Sequence, residues 1–280
     1  MVSLEQLQAG IVLPIDKPRQ WTSFQAVNKI KSILRKIYQT TPLLPGEGLG
    51  VRPKFKIGHA GTLDPLATGL LLVCIGKATK TIRTLQDGDK VYTGTFVFGA
   101  TTPCYDLERA VDHYYPYEHI TPALLEQTLP QFTGTILQVP PMFSAVKIAG
   151  QRAYEYARLD DPSVVIQPKP VTVYSFEITA FRGGEVDKLN VDKLERPVNV
   201  STYQRINLYK SPLGEVPPQL PQADFRIHCG KGTYIRSIAR DLGLALGSGA
   251  FLSALRREQI GTYTVDQALQ FDQVEDFLTM

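Results

Sequence analysis

The spacing of apolar and polar residues along this chain predicts a mixture of strands and helices. The run LLLVCIG, residues 70–76, is continuously apolar, as expected of a buried strand. In KVYTGTFVF, residues 90–98, the side chains alternate and Tyr92 lies on the more aromatic face, which predicts an antiparallel strand. In TSFQAVNKIKSILRKIY, residues 22–38, apolar residues recur three or four positions apart, which predicts an amphipathic helix.

Capping residues predict where several helices begin. Thr22 and Gln25 have the spacing of a capping box, and Thr121 followed by Pro122 predicts the start of another helix. A short helix is also predicted over residues 151–159. Because strands and helices mix without regular βαβ repeats, we predict an α+β fold with a mixed, mostly antiparallel sheet flanked by helices.

The length of 280 residues fits one large domain, and we expect a single domain over residues 1–280. Two stretches, near 39–55 and 183–222, are expected to be inserts. The sequence contains no uninterrupted run of about 18 apolar residues, so no membrane span is predicted. The first residues lack the pattern of a secretory signal.

Charge and cysteine content add two expectations. Residues 1–80 carry eleven Lys or Arg against four Asp or Glu, although the whole chain has a net charge of only +3. This excess is compatible with a polyanionic partner and equally with a solvated charged face. Cys74, Cys104 and Cys229 form no CxxC pair, which favours a reducing compartment, and we expect a cytoplasmic protein.

One carboxylate lies in a conformationally restricted stretch, GHAGTLDPLATG, residues 58–69. Pro65 fixes its own φ and favours an extended conformation for Asp64. Preset orientation is what a nucleophile or general base requires. The alternative is that Asp64 only caps the turn through its own backbone, as Asp often does.

A second stretch, CGKGTYIRSIARDLG, residues 229–243, places a Gly-Lys-Gly loop before a predicted helix, an arrangement that favours a phosphate. Arg236, near the helix start, could hold a carboxylate through two hydrogen bonds, or form a surface ion pair instead. Tyr234 could line a site or pack in the core. Tyr92 could stack on a base or be buried in the sheet. The four histidines lack metal-ligand spacing, and no metal site is expected.

These stretches occur in one order: GHAGTLDPLATG, KVYTG, PPMFSAVKIAGQRAYEYAR, KPVTVY, HCGKGTYIRSIARDLG and LRR. That order resembles the TruB family of bacterial tRNA pseudouridine synthases, over roughly residues 11–270. The resemblance implies a pseudouridine synthase fold and conversion of uridine 55 in the T-loop of tRNA to pseudouridine, without a metal or organic cofactor. It also implies a monomer that acts on tRNA without a required protein partner.

The resemblance assigns roles to individual residues. Asp64 matches the catalytic aspartate of the family, which either attacks the ribose or base or removes a sugar proton. Tyr92 matches the tyrosine that stacks on the target base, and Arg236 matches the arginine that pairs with the aspartate. The remaining matches are to substrate-binding residues, namely His59 for the T-loop, Tyr234 and Leu255 for the pocket, and Lys80 near the RNA backbone.

Two departures from the family and several rival functions remain at this point. About 25 residues follow Leu255, too few for the C-terminal PUA-type RNA-binding module of many relatives. The stretch GATTPCYDLER keeps the Thr and Asp pattern of the family's substrate-covering loop but lacks its closing Gly. The alternatives are a guide-RNA-dependent, dyskerin-like synthase, an RNA chaperone on the same scaffold, and an unrelated carboxylate hydrolase.

Overall fold

The computed structural model of the chain describes residues 2–39, 55–144, 147–148, 151–152, 166–183 and 214–280. The residues group into two units. The first unit comprises Met1–Tyr92 and Arg256–Met280, and the second comprises Thr93–Leu255.

The described segments form helices and strands in an interspersed order. The α-helices are α1 (Leu4–Ala9), α2 (Ser23–Gln39), α3 (Ile82–Asp87), α4 (Pro122–Thr128), α5 (Ile235–Ala245) and α6 (Gln273–Thr279). The 3-10 helices are Gly76–Thr81, Leu129–Phe132 and Val265–Gln267. The strands are β1 (Ile11–Lys17), β2 (Ile57–Ala60), β3 (Thr68–Ile75), β4 (Lys90–Phe98), β5 (Ala100–Thr101), β6 (His113–Tyr114), β7 (Gly134–Gln138), β8 (Lys147–Ile148), β9 (Gln151–Arg152), β10 (Lys169–Arg182), β11 (Gln222–Cys229), β12 (Ala250–Ile260) and β13 (Tyr263–Thr264).

In the first unit, β3 is the buried central strand. It pairs antiparallel with β1 along its whole length, from Ile11 opposite Ile75 to Lys17 opposite Gly69. Its other edge pairs antiparallel with β2 and then, at its start, parallel with the part of β12 that belongs to this unit. Seven of its eight residues are buried, as the continuous apolar run predicts for a strand covered on both faces.

The core of the first unit forms where this sheet meets its helices. Ala60, Leu70, Leu72 and Ile260 form a buried apolar cluster. The buried face of α2 includes Ile30 and Leu34, which have no exposed surface. The helix begins as predicted, because Thr22 Oγ1 accepts from the Gln25 amide at 3.1 Å and Gln25 Oε1 accepts from the Thr22 amide at 2.7 Å.

In the second unit, β10 is the long strand that pairs antiparallel with β11 on one edge and with β7 on the other. The part of β4 in this unit is the next neighbour of β11. Phe96 on β4 stacks on Phe225 of β11 with ring centroids 4.1 Å apart, and both rings contact Phe176 of β10. This aromatic cluster is the core that joins the strands of the unit.

The α+β prediction is confirmed, and most predicted elements are present. Helix α4 begins at Pro122 with the Thr121 hydroxyl accepting from the Leu124 amide, as predicted. The helix predicted over 151–159 is wrong at its start, because Gln151 and Arg152 form β9, which pairs with β8. The rest of that segment, and most of both predicted inserts, lie outside the described residues.

Candidate active site

Asp64 lies in the loop that joins β2 to β3 in the first unit. Its backbone carbonyl accepts from the Ala67 amide at 3.1 Å, which closes a turn with Pro65 at the second position, where a fixed φ is favoured. Gly61 enters this loop at φ +98°, a left-handed conformation that non-glycine residues rarely adopt. The predicted stiff turn around Asp64 is therefore present, and the side chain is half-buried.

A buried lysine holds the far side of this turn. Lys17, at the end of β1, has no exposed surface, and its ammonium donates to the backbone carbonyls of Pro18, Trp21 and Pro65. The Gln20 amide also donates to the Pro65 carbonyl, at 2.8 Å. These carbonyl acceptors compensate for the desolvation of the charge, and the bond to the Pro65 carbonyl holds the residue that follows Asp64.

His59 lies on β2, opposite Val73 of β3. Burial lowers the pKa of its imidazole, a backbone hydrogen bond at Gly61 raises it, and the Arg257 guanidinium lowers it further. The net direction is downward, so the neutral imidazole predominates near pH 7. A neutral ring can both donate and accept hydrogen bonds, as binding to a polar RNA loop requires.

Tyr92 and Lys80 occupy more exposed positions in the first unit. Tyr92 is half-buried on β4, whereas Phe96 and Phe98 further along the same face are fully buried. The interpretation of Tyr92 as a buried sheet residue therefore does not hold, because part of its side chain reaches the surface. Lys80 is exposed in the 3-10 helix Gly76–Thr81 and lines a surface cavity of about 190 Å³ together with Lys56 and Lys77.

In the second unit, Tyr234 is the residue that precedes α5. Its amide donates to Gln138 Oε1 at 2.8 Å, and its carbonyl accepts from Gln138 Nε2 at 3.1 Å. The buried Gln138 amide thus brackets the backbone at the helix start, where amides lack partners within the helix. Tyr234 itself is half-buried rather than part of the core. Leu255, on β12, is half-buried as well.

Arg236 is the second residue of α5, and its side chain is buried. Nη1 donates to the Cys104 carbonyl at 3.2 Å, and Nη2 donates to the Phe143 carbonyl at 2.9 Å. Nε lies 3.7 Å from Oδ2 of Asp106. The alternative of a surface ion pair is therefore wrong, because Arg236 is buried. Its several acceptors hold the guanidinium in one orientation.

Asp106 is a candidate functional residue that the sequence interpretation missed. Its Oδ1 accepts from the Glu108 amide at 2.9 Å and from the Cys104 thiol at 3.0 Å. Burial and the Asp106 charge both raise the pKa of that thiol, so Cys104 stays protonated and remains a donor. The signal in the sequence was the Asp in GATTPCYDLER, which pointed to a loop pattern but not to a pair with Arg236.

The sequence-predicted residues thus fall in both units, with His59, Asp64, Lys80 and Tyr92 in the first and Tyr234, Arg236 and Leu255 in the second.

Among the described residues, no group of three or more His, Cys, Asp or Glu is arranged to hold a metal ion. In the same parts of the chain, no helix combines the length and apolar character needed to cross a membrane.

Comparison with known proteins identifies similar sequences over nearly the whole chain. Residues 49–194 match the model of the N-terminal domain of the TruB family of pseudouridylate synthases, and residues 236–280 match that of the tRNA pseudouridylate synthase B C-terminal domain. A protein of Flavobacterium johnsoniae named tRNA pseudouridine synthase B is 44% identical over 274 residues, which cover 98% of each chain. Its namesake in Parabacteroides distasonis is 40% identical over 270 residues, 96% of this chain and 94% of the relative.

Solved structures share the fold. A chain from a Cbf5–Nop10–Gar1 complex aligns with a TM-score of 0.59 and 25% identity, covering 97% of this chain and 55% of that one. A chain from the archaeal box H/ACA Nop10–Cbf5 complex aligns with a TM-score of 0.55 at 22% identity, over 97% of this chain and 54% of that one. The predicted pseudouridine synthase fold is confirmed by these likenesses together with the family match.

Proposed function

The chain belongs to the TruB family of pseudouridylate synthases, and from that membership we propose that it converts uridine 55 in the T-loop of tRNA to pseudouridine. The observation that carries the proposal is the 44% identity, over 98% of both chains, to a protein named tRNA pseudouridine synthase B. The Asp64 turn adds a physical reason, since the carboxylate stands on a loop whose backbone is fixed on both sides.

The reaction is an isomerisation within one nucleotide. The bond between N1 of uracil and C1′ of ribose breaks, the base rotates, and a bond forms between C5 and C1′. The hydrogen of C5 leaves as a proton and N1 gains one, so that atoms and charge balance. We propose Asp64 as the catalytic carboxylate. Whether it attacks carbon or removes a sugar proton, it must be ionised, which a neighbouring cation favours.

The target base must leave its stack before Asp64 can act on it, because a stacked nucleotide is inaccessible. Unstacking costs a few kcal/mol, and we propose that stacking on the half-exposed Tyr92 offsets part of it. Tyr234 and Leu255 are proposed to line the pocket of the flipped base. His59 and Lys80 are proposed to contact the T-loop and the RNA backbone, and Lys80 is exposed beside two further lysines as such a contact requires.

Arg236 is proposed as the cation that keeps the catalytic carboxylate ionised, the role that the family resemblance gives it. Its buried guanidinium is oriented by the Cys104 and Phe143 carbonyls and by the Asp106 carboxylate. A guanidinium stays charged at any pH at which the enzyme works. Such a cation stabilises the charged form of a carboxylate that lies beside it.

The alternative of a synthase that works with protein partners is supported by the likeness to a chain of the Cbf5–Nop10–Gar1 complex, but the identity there is 25%, and this chain spans 55% of that one. The relatives named tRNA pseudouridine synthase B are closer in sequence and in length. We therefore propose a monomer that acts in the cytoplasm on tRNA alone, without a guide RNA or a protein partner. A chaperone activity on tRNA would coexist with catalysis rather than replace it.

The proposal is tested by incubating the purified protein, with no other protein or RNA, with an unmodified tRNA transcript and with a U55C transcript. Carbodiimide mapping should detect pseudouridine at position 55 of the first and none in the second. Absence of pseudouridine from the first transcript would overturn the proposed function, whereas activity that required an added guide RNA would favour the dyskerin-like alternative. Size-exclusion chromatography with light scattering measures whether the protein is a monomer.

A further inference from the structure

The residue before Asp64 is held by a buried serine that is distant in sequence. Ser23, the first residue of α2, has only 3% of its surface exposed. Its hydroxyl accepts from the Leu63 amide at 2.9 Å and donates to the Leu63 carbonyl at 3.2 Å. One hydroxyl therefore satisfies both polar groups of a buried residue and prevents rotation of the backbone next to Asp64.

A buried arginine holds both ends of the same loop. Arg257, on β12, is 1% exposed. Its Nη2 donates to the Gly61 carbonyl at 3.1 Å, and Nη1 donates to the Thr62 carbonyl at 3.4 Å. Its Nε donates to the Leu70 carbonyl at 2.8 Å, on the other side of Asp64. The planar guanidinium thus sets the separation between the two strands from which the loop emerges.

The backbone of Arg257 also lies close to the backbone of β3. Gly69, the second residue of β3, pairs with Arg257 and adopts φ +96°. A Cβ atom at Gly69 would lie 2.3 Å from the Arg257 carbonyl oxygen, so only glycine allows the strands to lie this close. The loop that carries Asp64 is consequently fixed by Arg257 through both main-chain and side-chain contacts.

We infer that Ser23 and Arg257 are positioning residues that hold the carboxylate of Asp64 in its reactive orientation. The inference rests on the proposed function, because it presupposes that Asp64 is the catalytic carboxylate. It assigns no role in substrate contact to either side chain. Every side-chain hydrogen bond described for the two residues ends on backbone atoms of Gly61, Thr62, Leu63 or Leu70, which flank Asp64. A displacement of about 1 Å at a reacting group can cost on the order of 100-fold in rate, so such support acts on turnover rather than on binding.

The test uses the 280-residue chain and four variants of it. Ser23→Ala removes the hydroxyl, and Ser23→Thr keeps it. Arg257→Lys keeps the charge but cannot reach carbonyls at both ends of the loop. Ser248→Ala is the matched control, since Ser248 is similarly buried, at 2% exposed, and its hydroxyl donates to a backbone carbonyl, that of Pro116, at 2.8 Å. The melting temperature of each variant is measured by circular dichroism. Activity is then assayed well below that temperature, so that unfolded protein does not contribute to the result.

Turnover is measured as the single-turnover release of tritium from C5 of the target uridine, and tRNA affinity by filter binding. We expect Ser23→Ala and Arg257→Lys to lower the single-turnover rate about 10- to 100-fold and to leave the tRNA Kd within about threefold. Ser23→Thr and Ser248→Ala should stay within about threefold of the original rate. Hydrogen exchange in a peptide covering residues 61–67 should accelerate in Ser23→Ala and Arg257→Lys, and not in Ser23→Thr or Ser248→Ala.

The outcomes separate this inference from the proposed function. If the unaltered protein and Ser248→Ala release no tritium, the proposed function itself fails. If the unaltered protein is active and Ser23→Ala and Arg257→Lys turn over at its rate, the inference is overturned. A fall in turnover that Ser248→Ala shares to the same extent, at equal loss of thermal stability, would also overturn it, because the effect would then be that of any lost buried hydrogen bond.

Discussion

Nε of Arg236 lies 3.7 Å from Oδ2 of Asp106, and only 6% and 8% of the two side chains are exposed. The two residues are 130 positions apart in the sequence and belong to the same unit. The guanidinium also donates to two backbone carbonyls, and the carboxylate also accepts from a thiol and a backbone amide. This makes Asp106 the counter-charge that allows Arg236 to be buried without losing its charge.

The first prediction follows from that counter-charge. Asp106→Asn keeps the shape of the side chain but leaves the Arg236 charge buried without a compensating carboxylate. We expect the free energy of unfolding to fall by about 3 kcal/mol, measured by urea denaturation at pH 7.

The matched control is Asp224→Asn, the same change in an ion pair that is largely exposed. Arg182 donates to both carboxylate oxygens of Asp224, but the arginine side chain is 51% exposed, so solvent screens the pair. We expect a loss of less than about 1 kcal/mol there. Equal losses in the two variants would show that Asp106 is not needed to compensate the buried charge.

The second prediction concerns Asp64, for which we propose the catalytic role. Asp64→Asn is nearly isosteric and leaves the backbone turn from Asp64 to Ala67 unchanged. An amide can neither act as a nucleophile nor remove a proton at neutral pH, so pseudouridine formation should fall below detection. The tRNA Kd, measured by filter binding, should stay within about tenfold. Turnover equal to that of the unaltered protein would remove Asp64 from the mechanism.

The third prediction separates the ring of Tyr92 from its hydroxyl. Tyr92→Leu removes the aromatic surface proposed to stack on the flipped base. Such stacking is worth about 1–3 kcal/mol per base, so the single-turnover rate should fall by about 5- to 150-fold. Tyr92→Phe retains the ring and serves as the matched variant. If stacking dominates, Tyr92→Phe should keep more of the rate than Tyr92→Leu does. Equal loss in both would instead assign the role of Tyr92 to its hydroxyl.

Local patterns were sufficient for several elements of the fold. The Thr22 and Gln25 capping box and the apolar spacing after it predicted where α2 begins, because both signals arise within one or two helical turns. Helix α1 was missed even though Ser3 and Gln6 form a complete capping box. With only six residues, α1 offers less than two turns of periodicity, and its stability depends on tertiary packing, including the fully buried Leu7.

The surroundings of the candidate catalytic residue could not be predicted in the same way. Asp64 and the stiffness of its turn were evident from neighbouring Gly and Pro residues. The side chains that brace the turn, among them Lys17, Ser23 and Arg257, come from three other elements, and they meet the loop only when the sheet has formed. A buried Lys or Arg is rare, so no composition signal identifies it before the fold is known.

The fourth prediction is a pH dependence of stability that arises from His59. Its imidazole is desolvated and lies near the Arg257 guanidinium, and both effects lower its pKa below the ordinary value of about 6.5. Below about pH 6.5, the His59 imidazole therefore binds a proton more readily in the unfolded chain than in the folded protein. The free energy of unfolding should therefore decrease as the pH falls from about 6.5 through the lowered pKa, and the contribution of His59 should be constant above pH 7.

His59→Gln removes this titration and keeps a polar side chain. In urea denaturation between pH 7.5 and pH 5.5, the unaltered protein should lose more stability than the variant does, because only the unaltered protein carries the imidazole. An NMR titration of the His59 ring should give a pKa below 6.5 directly. The prediction would be contradicted if the two proteins lost the same stability, or if the His59 ring titrated above 6.5. Either result would show that burial and Arg257 do not disfavour the charged imidazole. The proposal that a neutral His59 contacts the T-loop would then lose its electrostatic support.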